Sequence, residues 1–106
     1  MLEKYLLVLV TVSSENEGQR IGETLVKEGL AACTNLVPRV KSIFKWKGEI
    51  CKEDEILMLI KSKESLFEKL KNRVIDLHSY DVPEVIAIPI IFGSADYLRW
   101  MEKMLK

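Results

Sequence analysis

The segment Leu77-His78-Ser79-Tyr80-Asp81-Val82-Pro83-Glu84 gathers the chain's one histidine, a phenol and two acids within eight residues. Loops on a rigid scaffold are where ligand-binding groups are usually displayed, and imidazole is a common metal ligand. A structural role competes with that reading. At a helix C-terminus His78 would complement the last carbonyls, while Asp81 and Pro83 shape the turn. The other soft ligands are two thiols, Cys33 and Cys51. Copper and zinc are normally held by three or four nitrogen or sulfur ligands together. The chain has no C-x-x-C and no H-x-x-x-H, so no closed metal site is expected within one subunit. His78 is the first ligand candidate and Cys33 the second, although a strand thiol is more often a small core residue. A Gly-rich phosphate loop, a G-x-S-x-G elbow and paired acids of recognisable spacing are all missing. No enzymatic activity is therefore expected.

These groups must be positioned by strand, helix, strand, strand, helix, strand and a final helix. The run Lys4–Val12 reads as a buried central strand. It is too short to span a bilayer, and its flanks lack the charge and cleavage pattern of a signal peptide. A cytoplasmic protein is expected. Ser14 and Glu17 form a capping box for a helix over Glu15–Glu28, with Ile21, Leu25 and Val26 on its apolar stripe and Gly29 closing it. Ala31–Trp46 and Glu49–Lys63 then read as one hairpin around Lys47-Gly48. Ser62 can cap a second helix ending at His78, whose inner face carries Leu66, Phe67, Leu70, Val74 and Leu77. Val85–Phe92 reads as the fourth strand, and Gly93-Ser94 opens an amphipathic helix with Tyr97, Leu98, Trp100, Met101 and Leu105.

Two βαβ halves predict a single α+β domain over 1–106, a ferredoxin-like sandwich with an antiparallel sheet in the order 4-1-3-2. Pro38 and Pro89 fall on the two edge strands of that order, where a missing N–H is tolerated. In a two-residue turn at Lys47-Gly48, residues whose numbers sum to 95 face one another, which sets Cys51 opposite Phe44 and Cys33 opposite Ser62. The thiols then lie far apart, as expected of free cysteines in a reducing compartment.

The hairpin is longer than its cover. Its arms extend about 50 Å at roughly 3.3 Å per residue, against about 20 Å for the flanking helices at roughly 1.5 Å per residue. The projecting part carries Val40, Ile43, Phe44, Trp46 and Ile50. An apolar ribbon with an open edge invites pairing with another chain. Balanced charge, with 16 basic and 16 acidic side chains interspersed, gives no field to attract nucleic acid or an anionic membrane.

Several ordered motifs resemble the CutA divalent-cation-tolerance family: Ala31-Ala32-Cys33-Thr34-Asn35-Leu36-Val37-Pro38, Ser42 through Ile50, Lys61-Ser62, Leu77–Glu84 and Tyr97-Leu98-Arg99-Trp100. The resemblance spans essentially the whole chain. It implies a homotrimer in which long hairpins complete sheets between neighbours, with Val40, Phe44, Trp46, Ile50 and Trp100 at the interface. It also implies a link to divalent-cation tolerance, with copper or another divalent cation bound weakly between subunits near His78. There are departures. Phe44 stands where tyrosine is usual, Ser62 where threonine is, and Ser79 where proline is common. Val10 and Leu77 occupy positions that are cysteine and histidine in some relatives. The alternative function is a non-enzymatic signalling or scaffold trimer with a small anion in its clefts. In that reading Lys61 and Glu84 meet as an ion pair near Tyr80 and Trp46, and Glu55 pairs Lys41 or Arg39 across the hairpin.

Overall fold

Alternation of apolar residues along the first and third strands decides the architecture. A computed structural model describes residues 4–106. Strand β1 (Tyr5–Val12) is followed by helix α1 (Glu15–Lys27), the hairpin strands β2 (Cys33–Trp46) and β3 (Glu49–Lys63), and a 3₁₀ turn at Glu64–Leu66. Helix α2 (Phe67–Leu77), strand β4 (Ile86–Pro89) and helix α3 (Ala95–Met104) complete the chain. The four strands form one antiparallel sheet in the order β2-β3-β1-β4. This is the ferredoxin-like arrangement that the proline placement predicts, and both prolines do lie on edge strands.

One sheet face is packed. Val8, Val10 and Val12 of β1 and Met58 and Ile60 of β3 are fully buried with Ile21 and Leu25 of α1 and Leu70 and Val74 of α2. The helices are held to each other at the surface, where Arg73 reaches both carboxylate oxygens of Glu28 at 2.9–3.1 Å. Ser14 caps α1 by accepting the Glu17 N–H at 3.2 Å, and Gly29 takes the left-handed backbone (φ 71°) that ends it. Val26 lies off this core and is 44% exposed, so the apolar stripe of α1 is narrower than its sequence predicts. Helix α3 crosses the Tyr5–Lys63 end of the sheet, where Glu102 accepts from the Tyr5 hydroxyl and the Lys63 ammonium at 3.0 and 3.1 Å.

The opposite face is open. Leu9, Leu57 and Leu59 are only half-buried there, while Val37, Ile86 and Ile88 remain 38%, 52% and 49% exposed. The hairpin tip stands clear of the body with Ile43, Trp46 and Ile50 each more than half exposed, and the molecule is 45 Å long but only 25 × 23 Å across. Lys47 and Gly48 both have positive φ (51° and 81°), the backbone of the tight turn that matches strand twist.

Four sequence expectations change. The fourth strand stops at Pro89 instead of running from Val85 to Phe92, because its ladder to β1 covers only Leu9↔Ile86 through Leu6↔Pro89. Ser62 is the penultimate residue of β3 and caps nothing; its hydroxyl is buried and donates to the Leu30 carbonyl at 2.7 Å. The second helix begins four residues later than Lys63, after the 3₁₀ turn. Finally, the hairpin register sums to 95 from Trp46↔Glu49 to Val40↔Glu55 and then slips, since Pro38 and Arg39 bulge opposite Ile56. Cys33 therefore faces Lys61, not Ser62.

Candidate functional site

The polar groups converge at one corner of the sheet, where β1 ends, α2 ends and the bulge bends the hairpin away from the body. His78 closes α2 with an extended backbone (φ −79°, ψ 145°), and its side chain is fully buried. The Tyr80 backbone N–H donates to His78 Nδ1 at 3.0 Å, so that nitrogen carries no proton. Nε2 must then hold it, and donates to the Thr11 carbonyl oxygen at 2.7 Å. The imidazole is fixed as its neutral Nε2–H tautomer, with both nitrogens engaged. Glu17 Oε2 lies 3.7 Å from Nδ1; two acceptors meet there, not an ion pair.

Glu17 organises the loop. Its Oε1 accepts the Ser13 N–H and hydroxyl at 3.3 and 3.0 Å, and its Oε2 accepts the Ser79 N–H at 2.8 Å. Burial pushes this carboxyl up, but the hydrogen bonds from Ser79 and Ser13 outweigh it and leave the group below its ordinary value of 4.5. Tyr80 stacks obliquely on His78 with ring centroids 4.6 Å apart, and its hydroxyl donates to Glu55 Oε2 at 2.7 Å. Burial, then the Glu55 hydrogen bond and charge, raise the Tyr80 phenol well above its ordinary value. Glu55 is thus bound to Tyr80, not to Lys41 or Arg39. Lys41 pairs instead with Asp54 at 2.6 Å.

The remaining predicted residues lie elsewhere in the subunit. Lys61 donates to Asn35 Oδ1 and sits 4.0 Å from Cys33 Sγ, next to Tyr97, whose phenol is raised by burial and by that sulfur. It does not meet Glu84, which is exposed in the turn before β4. Trp46 pairs with Glu49 at the hairpin tip, about 40 Å along β3 from Lys61 at roughly 3.3 Å per residue. Cys33 lies level with Leu7, two strands across from β1 and four residues from the Thr11 level of His78. Among the described residues no group of three His, Cys, Asp or Glu side chains could hold a metal. With both His78 nitrogens occupied, the residues of one subunit do not fit a resident copper or zinc ion.

Sequence reasoning missed the part played by Glu17, which reads as an ordinary capping-box acid, and that of Asn35 beside Lys61. It had no signal for Thr11, which contributes only its carbonyl.

Comparison with known proteins decides the family. The sequence model for the CutA1 divalent ion tolerance protein matches residues 6–104. The chain belongs to the CutA divalent-cation tolerance family. It is 46% identical over 97 residues to the divalent-cation tolerance protein CutA of Thermus thermophilus, covering 92% of this chain and 94% of that one. It is 43% identical to the chloroplastic CutA protein of Arabidopsis thaliana, but spans only 53% of that protein's length. The crystal structure of CutA1 from Oryza sativa superposes with a TM-score of 0.95 at 40% identity, over 97% of this chain and 94% of that one. No helix among the described residues is long and apolar enough to cross a membrane.

Proposed function

We propose that this protein serves divalent-cation tolerance as a non-enzymatic cytoplasmic homotrimer, in which copper or another divalent cation is a weak ligand held between subunits. The observation that carries the reading is the open sheet face. Leu9, Leu57, Leu59, Ile86 and Ile88 form one apolar surface continuous with a projecting apolar hairpin, and a soluble chain covers a surface of that kind by association. Cross-strand neighbours Leu9↔Leu59 and Leu9↔Ile86 put these side chains together at the centre of the face, where sister copies supply the missing layer. The interface residues implied by the family resemblance, Val40, Phe44, Trp46, Ile50 and Trp100, are compatible with this: Phe44, Trp46, Ile50 and Trp100 are all 40% exposed or more.

Weak metal binding that depends on assembly follows from the ligand inventory. Cys33 is a partly exposed free thiol, His78 is closed, and among the described residues no single chain gathers three ligands. Copper(II) titration followed by electron paramagnetic resonance tests this, using wild type, Cys33→Ser and an Ile88→Glu variant designed to dissociate. The reading expects a modest-affinity signal that weakens in Cys33→Ser and vanishes in the dissociated chain. A tight, stoichiometric site retained by single chains would contradict it. The small-anion reading requires Lys61 of one subunit to meet Glu84 of another, since the two are apart within one chain.

A further inference from the structure

Past Ile56 the hairpin loses its support from the body. Ile56 is the last β3 residue toward the tip with a partner on β1, opposite Val12, so from Glu55 to the turn β2 and β3 pair only with each other. At the same level Pro38 and Arg39 bulge out of β2, with Arg39 at φ 65°. A bulge bends its strand, and a two-stranded ribbon twists more freely than a wider sheet. These are the conditions for a hinge. The ribbon beyond it is about 20 Å long at roughly 3.3 Å per residue, so a rotation of about 15° at the hinge carries the tip about 5 Å.

Among the described residues, a single side-chain hydrogen bond spans this hinge from the body to the ribbon: the Tyr80 hydroxyl donates to Glu55 Oε2 at 2.7 Å. The Lys41–Asp54 pair and the Cys51 contact to Glu49 stay within the ribbon. Tyr80 is itself anchored firmly. Its backbone N–H donates to His78 Nδ1 and its ring leans on the imidazole, which is fixed to the Thr11 carbonyl near the end of β1. The neighbouring Ser79 N–H is held by Glu17 of α1. Burial first, then Glu55, raise the Tyr80 phenol, so it stays protonated and donates. Glu55 is only 7% exposed, which keeps water from competing for the bond.

We propose that the Tyr80–Glu55 bond is a latch across a hinge at Pro38-Arg39, and that it sets the angle at which the hairpin is presented to a sister chain. Tyr80 is then a positioning residue for assembly, acting through Glu55. This role rests on the association proposed above. Opening the latch leaves the subunit folded, because the buried core lies between the sheet and its helices, on the body side of the hinge.

The hinge angle is read by double electron–electron resonance between nitroxides at Lys45→Cys on the ribbon and Lys69→Cys on α2, both exposed. The full chain carries Cys33→Ser, Cys51→Ser and the dissociating Ile88→Glu, so each distance comes from one chain. With Tyr80 present a single narrow distance is expected. Tyr80→Phe keeps the ring on His78 and loses only the hydroxyl; the distribution should become about twice as wide as unlatched chains accumulate. Glu55→Gln keeps an acceptor and should stay narrow. In the chain with its native cysteines and Ile88, Tyr80→Phe should weaken association about tenfold by sedimentation, the equivalent of one hydrogen bond to a charged acceptor. Circular dichroism should show every variant folded. A distribution as narrow in Tyr80→Phe as in its parent overturns the proposal, and so does a spread as wide in Glu55→Gln. Unfolding of Tyr80→Phe, or association unchanged by it, overturns the proposal as well. A wild-type chain that sediments alone would defeat the assembly reading, and is told apart from a failed latch because the distance is measured within one chain.

Discussion

Val8, Val10, Met58 and Ile60 on the helix-covered face of the sheet have no exposed surface, whereas Ile86 and Ile88 on the other face are about half exposed. Both faces are built from the same strands, one residue out of phase, and both are apolar. The difference lies in what covers them: two helices on one side, nothing from this chain on most of the other. An ordinary solvated sheet face would alternate to polar residues. Here the centre of the second face, Leu9, Leu57, Leu59, Ile86 and Ile88, is aliphatic, which is the pattern of strands buried on both sides. The covered face therefore supplies the stability of the fold, and the proposed association rests on the open face.

Substitutions can break that contrast. The largest effect on stability is expected from Ile60→Ala, a full truncation inside the covered layer, which should lower unfolding free energy by about 2–5 kcal/mol in urea denaturation. Ile88→Glu, on the open face and 49% exposed in the single chain, should leave each subunit's circular dichroism intact while weakening association on the order of a hundredfold, about 3 kcal/mol, by sedimentation. Equal unfolding by both substitutions would erase the distinction between the faces.

The corner between the faces is expected to respond to pH. Glu17 has a folded value below its ordinary 4.5. A depressed carboxyl contributes stability above its unfolded value, and that contribution is lost as pH falls through the folded one. Wild type should therefore lose stability below about pH 4.5. Glu17→Gln should be about 1–3 kcal/mol less stable near neutrality and show a shallower acid decline. Thermal melts of both proteins across that range provide the check. The smallest effect is expected from Lys41→Ala, which removes an ion pair with 61% and 81% exposed partners and should change stability by less than about 0.5 kcal/mol.

The strand order was legible because two prolines marked the edges, and the hairpin turn because Lys47-Gly48 suits positive φ. The register at the hairpin base was not, since a bulge at Pro38-Arg39 leaves no signature beyond a proline already explained by an edge position. That slip alone moved Cys33 from Ser62 to Lys61. Ser62 read as a helix cap because its type suits one, but tertiary packing used its hydroxyl for the Leu30 carbonyl. The corner was half legible. His78 and Tyr80 stood out by type, yet what occupies the imidazole nitrogens is a backbone N–H and a backbone carbonyl, which side-chain chemistry read from sequence does not reveal. Glu84 and Trp46 looked like site residues through motif position, and the single subunit places them apart.

The claim that sister copies cover the open face is tested most directly by sedimentation equilibrium of the wild-type chain at low micromolar concentration. The account predicts an assembly of three 12.2 kDa chains, about 37 kDa. A folded 12.2 kDa species with the open face in water would contradict it.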